Sequence, residues 1–383
     1  MSSQLAIADL RARLAGMPAS AHPQERAQLL AVLALECARA GLPREGLEAV
    51  KEALRLIQAL GLPEIEAELM NAASMCHYFR GDHTMAIASG LDAYQGFAGR
   101  GDLVRMGHAL TTIAASCKEI DAIDLSMDAL TGCLNIAHRS GDAFLEARTR
   151  NTLGMVCSET GRFDEAEQHL EEARRCLART GSAAHLPKVA ANIGTLLKKR
   201  AEAAFAAGDA AGAREFLRQA INLLREGLAA AETGEHSYER ADKTVALGEF
   251  YFLLGEYAMA TALVREALAL GQRLKHSQIV IESHLYLGRI LLALGDEADA
   301  LANLKLVLEL ARAAELRDLQ LQAHQHLADC YRTMGHARDA AAQAAQAAEL
   351  GADIRAQHRE AQREARHLWA QYFSRHPLIG PAA

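Results

Sequence analysis

The sequence predicts an all-α chain folded as a solenoid of eight helical hairpins, and three observations point to it. Over residues 247–267 a leucine precedes Gly248, an aromatic follows at Tyr251, a turn glycine stands at Gly255, and small residues stand at Ala260 and Ala267. The pattern returns forty residues later as Leu287, Gly288, Leu291, Gly295, Ala300 and Val307, and forty later again as Leu327, Ala328, Tyr331, Gly335, Ala340 and Ala347. This spacing describes two short helices folded on each other, because a glycine or alanine at the crossing lets the backbones approach. Composition agrees. Of 383 residues half are apolar, only 5% are aromatic and seven are proline, which suits helices stacked along one axis.

Residues 1–22 open with the caps Ser2 and Ser3 and the apolar positions Leu5, Ile7, Leu10 and Leu14, an N-terminal capping helix for the exposed end of the first hairpin. From Pro23 the intra-hairpin turns fall at Gly41, Gly81, Asp121, Gly161, Gly208, Gly255, Gly295 and Gly335. Five residues past each turn stand Gly46, Ala86, Ser126, Ala166, Ala213, Ala260, Ala300 and Ala340; twelve past stand Ala53, Ala93, Cys133, Ala173, Ala220, Ala267, Val307 and Ala347. Small residues held in register at two sites through eight units set the repeat count. Between hairpins, Gly61, Gly101, Gly141 and Gly181 end helices where a positive φ is useful, and Pro63 suits the start of the next helix. Each helix then has about 16 residues and a length of roughly 24 Å.

The fifth hairpin, about 187–240, departs from this register. Gly208 stands fourteen positions after Gly194, where other turns stand seven after their small residue. Both helices of the pair lengthen by about two turns, giving either an exposed edge that has drifted or a ledge for a partner or a second copy of the chain. The solenoid spans 23–352. A polar capping helix over 353–376 is expected to lay Ala356, Ala361, Ala365, Leu368 and Trp369 on the last hairpin, and 377–383, with Pro377 and Pro381, reads as a disordered tail.

The small first-helix position (Ala34, Ser74, Ala114, Gly154, Gly194, Gly248, Gly288, Ala328), the turn glycines and the two small second-helix positions together resemble the tetratricopeptide repeat family over about 23–351. The forty-residue spacing is longer than the common period of about 34. It is similar to longer-helix members: bacterial regulatory arrays that precede cyclic-di-nucleotide synthase domains, and peptide-binding quorum-sensing receptors. The resemblance implies a right-handed α-α superhelix whose first helices line a concave groove for a peptide or a partner's helix. No GGDEF-type sequence is present. Members that clamp a C-terminal carboxylate use a lysine and an asparagine on the first helix. Here the residue after the small site is Leu35, Met75, Ala115, Met155, Thr195, Glu249, Arg289 or Asp329, never asparagine.

Helical spacing from the same landmark gives what the groove presents. Six residues before it stand Gln28, Glu68, His108, Arg148, Lys188, Asp242, Glu282 and Gln322; four after stand Ala38, Tyr78, Lys118, Ser158, Lys198, Phe252, Leu292 and Arg332. These offsets share one helix face. The expected binding set is Asn71, Tyr78, His108, Lys118, Arg148, Asn151, Lys188, Lys198, Asp242, Glu249 and Glu282. A groove basic at its centre and acidic beyond suits an extended segment of acidic then basic character, its acidic part near Lys118, Arg148 and Lys198.

No phosphate-binding glycine loop, HExxH, GxSxG or paired metal-ligand motif occurs. The seven cysteines are odd in number and lack CxxC spacing; Cys37, Cys117 and Cys157 take the position of Tyr251 and Tyr331 and read as core residues. Neither catalysis nor a metal nor another cofactor is expected. A net charge of −7 argues against nucleic acid, and no apolar run approaches membrane-spanning length, so a cytoplasmic location is expected. The function read from the sequence is a non-enzymatic interaction scaffold or adaptor that binds a peptide or partner segment and admits a homodimer. The alternative is a peptide- or ligand-responsive regulator of a signalling enzyme, such as a cyclic-di-nucleotide synthase, or of a transcription factor.

Overall fold

The computed structural model describes residues 3–17, 22–60, 63–181, 185–231, 237–374 and 378. The first two residues and 18–21 of the expected N-terminal cap, the glycine at 61, the end of the capping helix at 375–376 and the tail at 377 and 379–383 lie outside them. The described residues form seventeen α-helices and no β-strand: α1 (Ser3–Ala15), α2 (Pro23–Arg39), α3 (Pro43–Leu60), α4 (Pro63–Arg80), α5 (His83–Ala98), α6 (Leu103–Glu119), α7 (Ile123–Ser140), α8 (Ala143–Glu159), α9 (Phe163–Arg179), α10 (Leu186–Ala206), α11 (Ala210–Ala231), α12 (Ser237–Leu253), α13 (Tyr257–Leu274), α14 (Ser277–Ala293), α15 (Glu297–Ala313), α16 (Arg317–Thr333) and α17 (Ala337–Phe373). They fall into two compact units. The first comprises Met1–Ala183 with His358–Ala383, the second Ala184–Gln357.

Every turn position read from the sequence has a left-handed backbone, from φ 58° at Asp121 to 83° at Gly81. The geometry is that of a helix C-terminus closed by a 6→1 bond: the N–H of Leu42 donates to Cys37 O at 2.8 Å, and that of Asp82 to His77 O at 3.0 Å. The caps between hairpins are left-handed at Gly101, Gly141 and Gly181, and the second unit has the same conformation at Lys275 and Glu315, with φ of 53° and 57°. The glycine mark fades there while the geometry it marks persists.

The crossings show why small residues recur. Ala34, Ser74 and Ala114 are fully buried, and a Cβ on Gly154 would lie 2.5 Å from Leu170 Cγ, as one on Gly248 would from Val264 Cγ2. Only hydrogen fits at such a distance. Where a hydroxyl replaces alanine it bonds across the crossing, Ser74 Oγ donating to Ala86 O at 2.7 Å and Ser126 Oγ to Ala114 O at 2.9 Å. All seven cysteines are buried free thiols.

In the first unit α1 packs Ile7, Leu10 and Leu14 on Leu29, Leu30 and Leu33. Arg26 ties its C-terminal end, donating to Leu14 O and Met17 O at 2.8 and 3.0 Å while pairing with Glu52. In the second unit Leu217, Ile221, Leu247 and Phe250 form one core cluster, and Leu285, Leu304 and Leu327 belong to the next. There α10 and α11 have 21 and 22 residues against 17 or 18 in α12–α16, so the pair is longer by about one turn as helix, less than the two turns the spacing suggests.

The end of the chain differs from the expectation. The second helix of the eighth hairpin and the capping helix are one continuous α17 of 37 residues, running through Gly351, which packs against Leu321 of α16. Ala361, Ala365, Leu368 and Trp369 do not lie on the last hairpin. They join Tyr94, Phe97, Met106, Leu110 and Leu130 in the core of the first unit, where their aromatic neighbours find ring partners: Tyr372 and Phe373 meet Tyr94 at centroid distances of 5.9 and 5.8 Å. Ala356 is exposed.

Candidate functional site

On the first-helix face of the first unit, α4, α6 and α8 present Asn71, Tyr78, His108, Lys118, Arg148 and Asn151. Equal register brings neighbours together across forty residues. Arg148 Nη1 donates to His108 Nδ1 at 2.7 Å, and Nη2 reaches Thr111 Oγ1 at 3.4 Å. A guanidinium has no acceptor, so His108 offers a lone pair at Nδ1 and carries its proton at Nε2. Burial first, and the charge of Arg148 second, bring the His108 pKa down to about 4. Arg148 makes no carboxylate ion pair among the described residues, and burial pushes its pKa down, with Arg39 adding like charge. The product is a half-buried cation beside a neutral ring N–H, both donors. One turn along the same face, Asn71 Oδ1 has no hydrogen-bond partner among the described residues.

The charged side chains Lys118 and Glu68 on this face are already paired. Lys118 Nζ lies 2.8 Å from Glu119 and 3.1 Å from Glu159, and Glu68 holds Arg105 and, at 3.2 Å, Arg100. Tyr78 packs edge-on to Phe79 and His83, and burial raises its phenol pKa. Asn151 is engaged rather than free.

On the corresponding face of the second unit, α10, α12 and α14 carry Lys188, Lys198, Asp242, Glu249 and Glu282. Lys198 Nζ sits 3.0 Å from Glu249 Oε1, so the expected basic centre is neutralised at this position. Burial, then Asp242 and Glu249, raise the Glu282 pKa, while its side chain accepts from Gln278 at 2.9 Å. Lys188 and Asp242 are exposed and engaged. Sequence reasoning passed over a cluster beside these: the Arg289 guanidinium carbon stands 4.7 Å from the Phe252 centroid and 5.2 Å from that of Tyr286, and burial with Arg289 brings His326 down to about 4. Phe252 stands in the groove series and Arg289 one residue past its small site, but spacing along one helix does not show that the two side chains meet.

Donor atoms of Glu146, Glu172 and Cys176 in the first unit lie within 4.8 Å of one another. Arginines occupy them: Arg150 on Glu146 at 2.8 Å, Arg175 on Glu172 at 3.0 Å and Arg179 on Cys176 Sγ at 3.0 Å. Cations thus stand where a metal would need open lone pairs. Among the described residues no helix is long and apolar enough to cross a membrane.

Left-handed turns at regular intervals, small residues at each crossing, and polar side chains gathered on the first-helix faces define a helical-hairpin repeat protein. The tetratricopeptide repeat family model matches residues 106–179 and 239–313, so tetratricopeptide repeats are present in both units. Among solved structures, the chain is similar to the apo form of the quorum sensor NprR from B. thuringiensis (12% identity, TM-score 0.59, 84% of this chain and 88% of that one). It is also similar to the apo form of RapI (14%, 0.56, 76% and 98%) and to the Rap conjugation gene regulator of plasmid pLS20 in complex with the Phr* peptide (13%, 0.53, 93% and 98%). At these identities the likeness is one of fold. No curated protein sequence matches the chain.

Proposed function

We propose that the chain is a non-enzymatic binding protein whose first-helix faces take a peptide or an extended segment of another protein, with an acidic group of that segment seated at Arg148. The observation that carries the reading is the guanidinium of Arg148, held by His108 and Thr111 with no carboxylate ion pair among the described residues. A half-buried cation supported by neutral groups favours a ligand carboxylate, because a charge-assisted pair replaces lost hydration. The acceptor of Asn71 on the same face suits a backbone N–H. Lys118 and Lys198, engaged by glutamates, are secondary; Glu282, Asp242 and Glu249 would meet a basic part of the segment. The reading is tested with arrays of acidic, neutral and basic heptapeptides. Wild-type chain should prefer acidic sequences, and Arg148→Glu should lose that preference at least about tenfold; a preference that survives the substitution, or no binding in any class, overturns it.

A second reading, a ligand-responsive regulator of a signalling enzyme or transcription factor, is favoured by the fold shared with the quorum sensor and with the regulator solved with Phr*. A regulator should change its radius of gyration when the selected peptide binds; a scaffold should bind with little change.

A further inference from the structure

In sequence the polar part of α17 reads as a terminal cap facing water, yet its polar side chains converge on one turn. Gln362 Nε2 donates to Ile120 O at 2.8 Å, His358 Nδ1 donates to Asp121 Oδ2 at 3.1 Å, and Arg366 donates through Nε and Nη2 to the Asp124 carboxylate at 3.2 and 3.1 Å. All three acceptors lie within residues 120–124, where α6 turns into α7. Behind them Ala365 and Trp369 are buried with Tyr94, Phe97 and Leu130, and Leu378 reaches α7 so closely that a Cβ on Gly132 would lie 2.9 Å from its Cδ2.

An anomaly of the repeat falls at the same place. Seven of the eight intra-hairpin turns are glycine; the eighth is Asp121, which carries a φ of 58° that an L side chain disfavours. Glycine would suit this backbone better. What aspartate adds is the carboxylate that receives His358.

We propose that residues 358–374, with Leu378, form a releasable strap on the α5–α7 face, with Asp121 as its positioning residue. The polar contacts stand at the rim, where Asp121 and Asp124 side chains are 71% and 58% exposed and salt screens them; the apolar face beneath recognises an amphipathic helix with an aromatic end. In the docked state the chain supplies that helix itself. Undocking uncovers the face, which then accepts the same segment from solution.

Trp369 is the single tryptophan of the chain and reports docking in the full-length protein. In Asp121→Gly its emission should shift to the red and acrylamide quenching should rise at least about twofold, more so as NaCl is raised from about 0.05 to about 0.5 M. If Asp121 merely fills a turn, the glycine relieves the backbone and leaves Trp369 unchanged. Asp124→Arg and Arg366→Asp should each shift the emission, and the two together should restore it, which a purely structural loss would not do. A labelled synthetic peptide of residues 358–378 with the native sequence should bind the full-length Arg366→Asp chain, whose own segment is weakened while the face is unaltered, at least about tenfold more tightly than wild type. Unchanged Trp369 emission in both Asp121→Gly and Arg366→Asp, or a peptide that does not discriminate between the chains, overturns the strap.

Discussion

The first-helix faces of the two units share a register and differ in how their charges are satisfied. In the first, Arg148 rests on a neutral histidine and a threonine; in the second, Lys198 rests on Glu249, and burial, then Asp242 and Glu249, raise the pKa of Glu282. The caps differ as well: glycines at 101, 141 and 181 close helices of the first unit, while Lys275 and Glu315 adopt the same conformation in the second. One backbone plan thus tolerates opposite local chemistry, because crossings are set by buried small residues and charge is carried by side chains the crossings leave alone.

The crossings should be where the units behave alike. Gly154→Ala and Gly248→Ala each force a Cβ to 2.5 Å from a neighbouring side chain and should each cost about 2–3 kcal/mol in denaturant unfolding; a loss confined to one of them would break the equivalence. Acid provides the next test. His108 and His326 both have folded pKa values near 4 against an ordinary 6.5, so folded chains refuse a proton that unfolded chains accept. Their contribution is complete above about pH 6.5 and is lost as pH falls toward 4, by about 1–3 kcal/mol for each ring. His108→Gln and His326→Gln should each flatten stability measured between pH 7 and pH 4 (set on the ordinary histidine range), and a profile unchanged in either would contradict the burial described here.

Charge is where they should diverge. Lys198→Ala leaves Glu249 beside Glu282 and Asp242 and should destabilise by about 1–2 kcal/mol, with the Glu282 pKa rising further by NMR titration. Arg148→Ala removes a cation that makes no carboxylate ion pair among the described residues and should change stability by less than about 1 kcal/mol, while the His108 pKa moves up from about 4. Smallest and opposite in sign are the caps. Lys275→Gly and Glu315→Gly should each raise stability by about 0.5–1 kcal/mol, read from the denaturant midpoint, since glycine meets a left-handed φ without a Cβ penalty.

The hairpin register was legible because it rests on local facts: a turn that needs positive φ and a crossing that excludes a side chain. Lys275 and Glu315 were not, since the cap geometry is imposed by the helices around it and leaves no mark on residues that merely endure it. In sequence the solenoid and its cap divide between 352 and 353, yet one helix runs through Gly351, packed on Leu321, overriding a propensity deficit of about 1 kcal/mol. The groove faces were legible as positions; their pairing was not. Arg148 and His108 meet because forty residues return the same face, whereas Lys198 meets Glu249 across 51 residues, from two different offsets in the lengthened fifth hairpin and the sixth. The docking of α17 joins residues 237–242 apart in sequence, a distance over which no periodicity speaks.

The buried thiols have a consequence of their own. Cys37, Cys76, Cys117, Cys133, Cys157 and Cys176 belong to the first unit and Cys330 to the second, and burial lifts Cys76, Cys117 and Cys133 to about 12. Such thiols react only when their hairpin opens. Alkylation followed residue by residue therefore works as a clock with six hands in one unit and one in the other, timing the opening of individual hairpins in the unmodified chain without any introduced label.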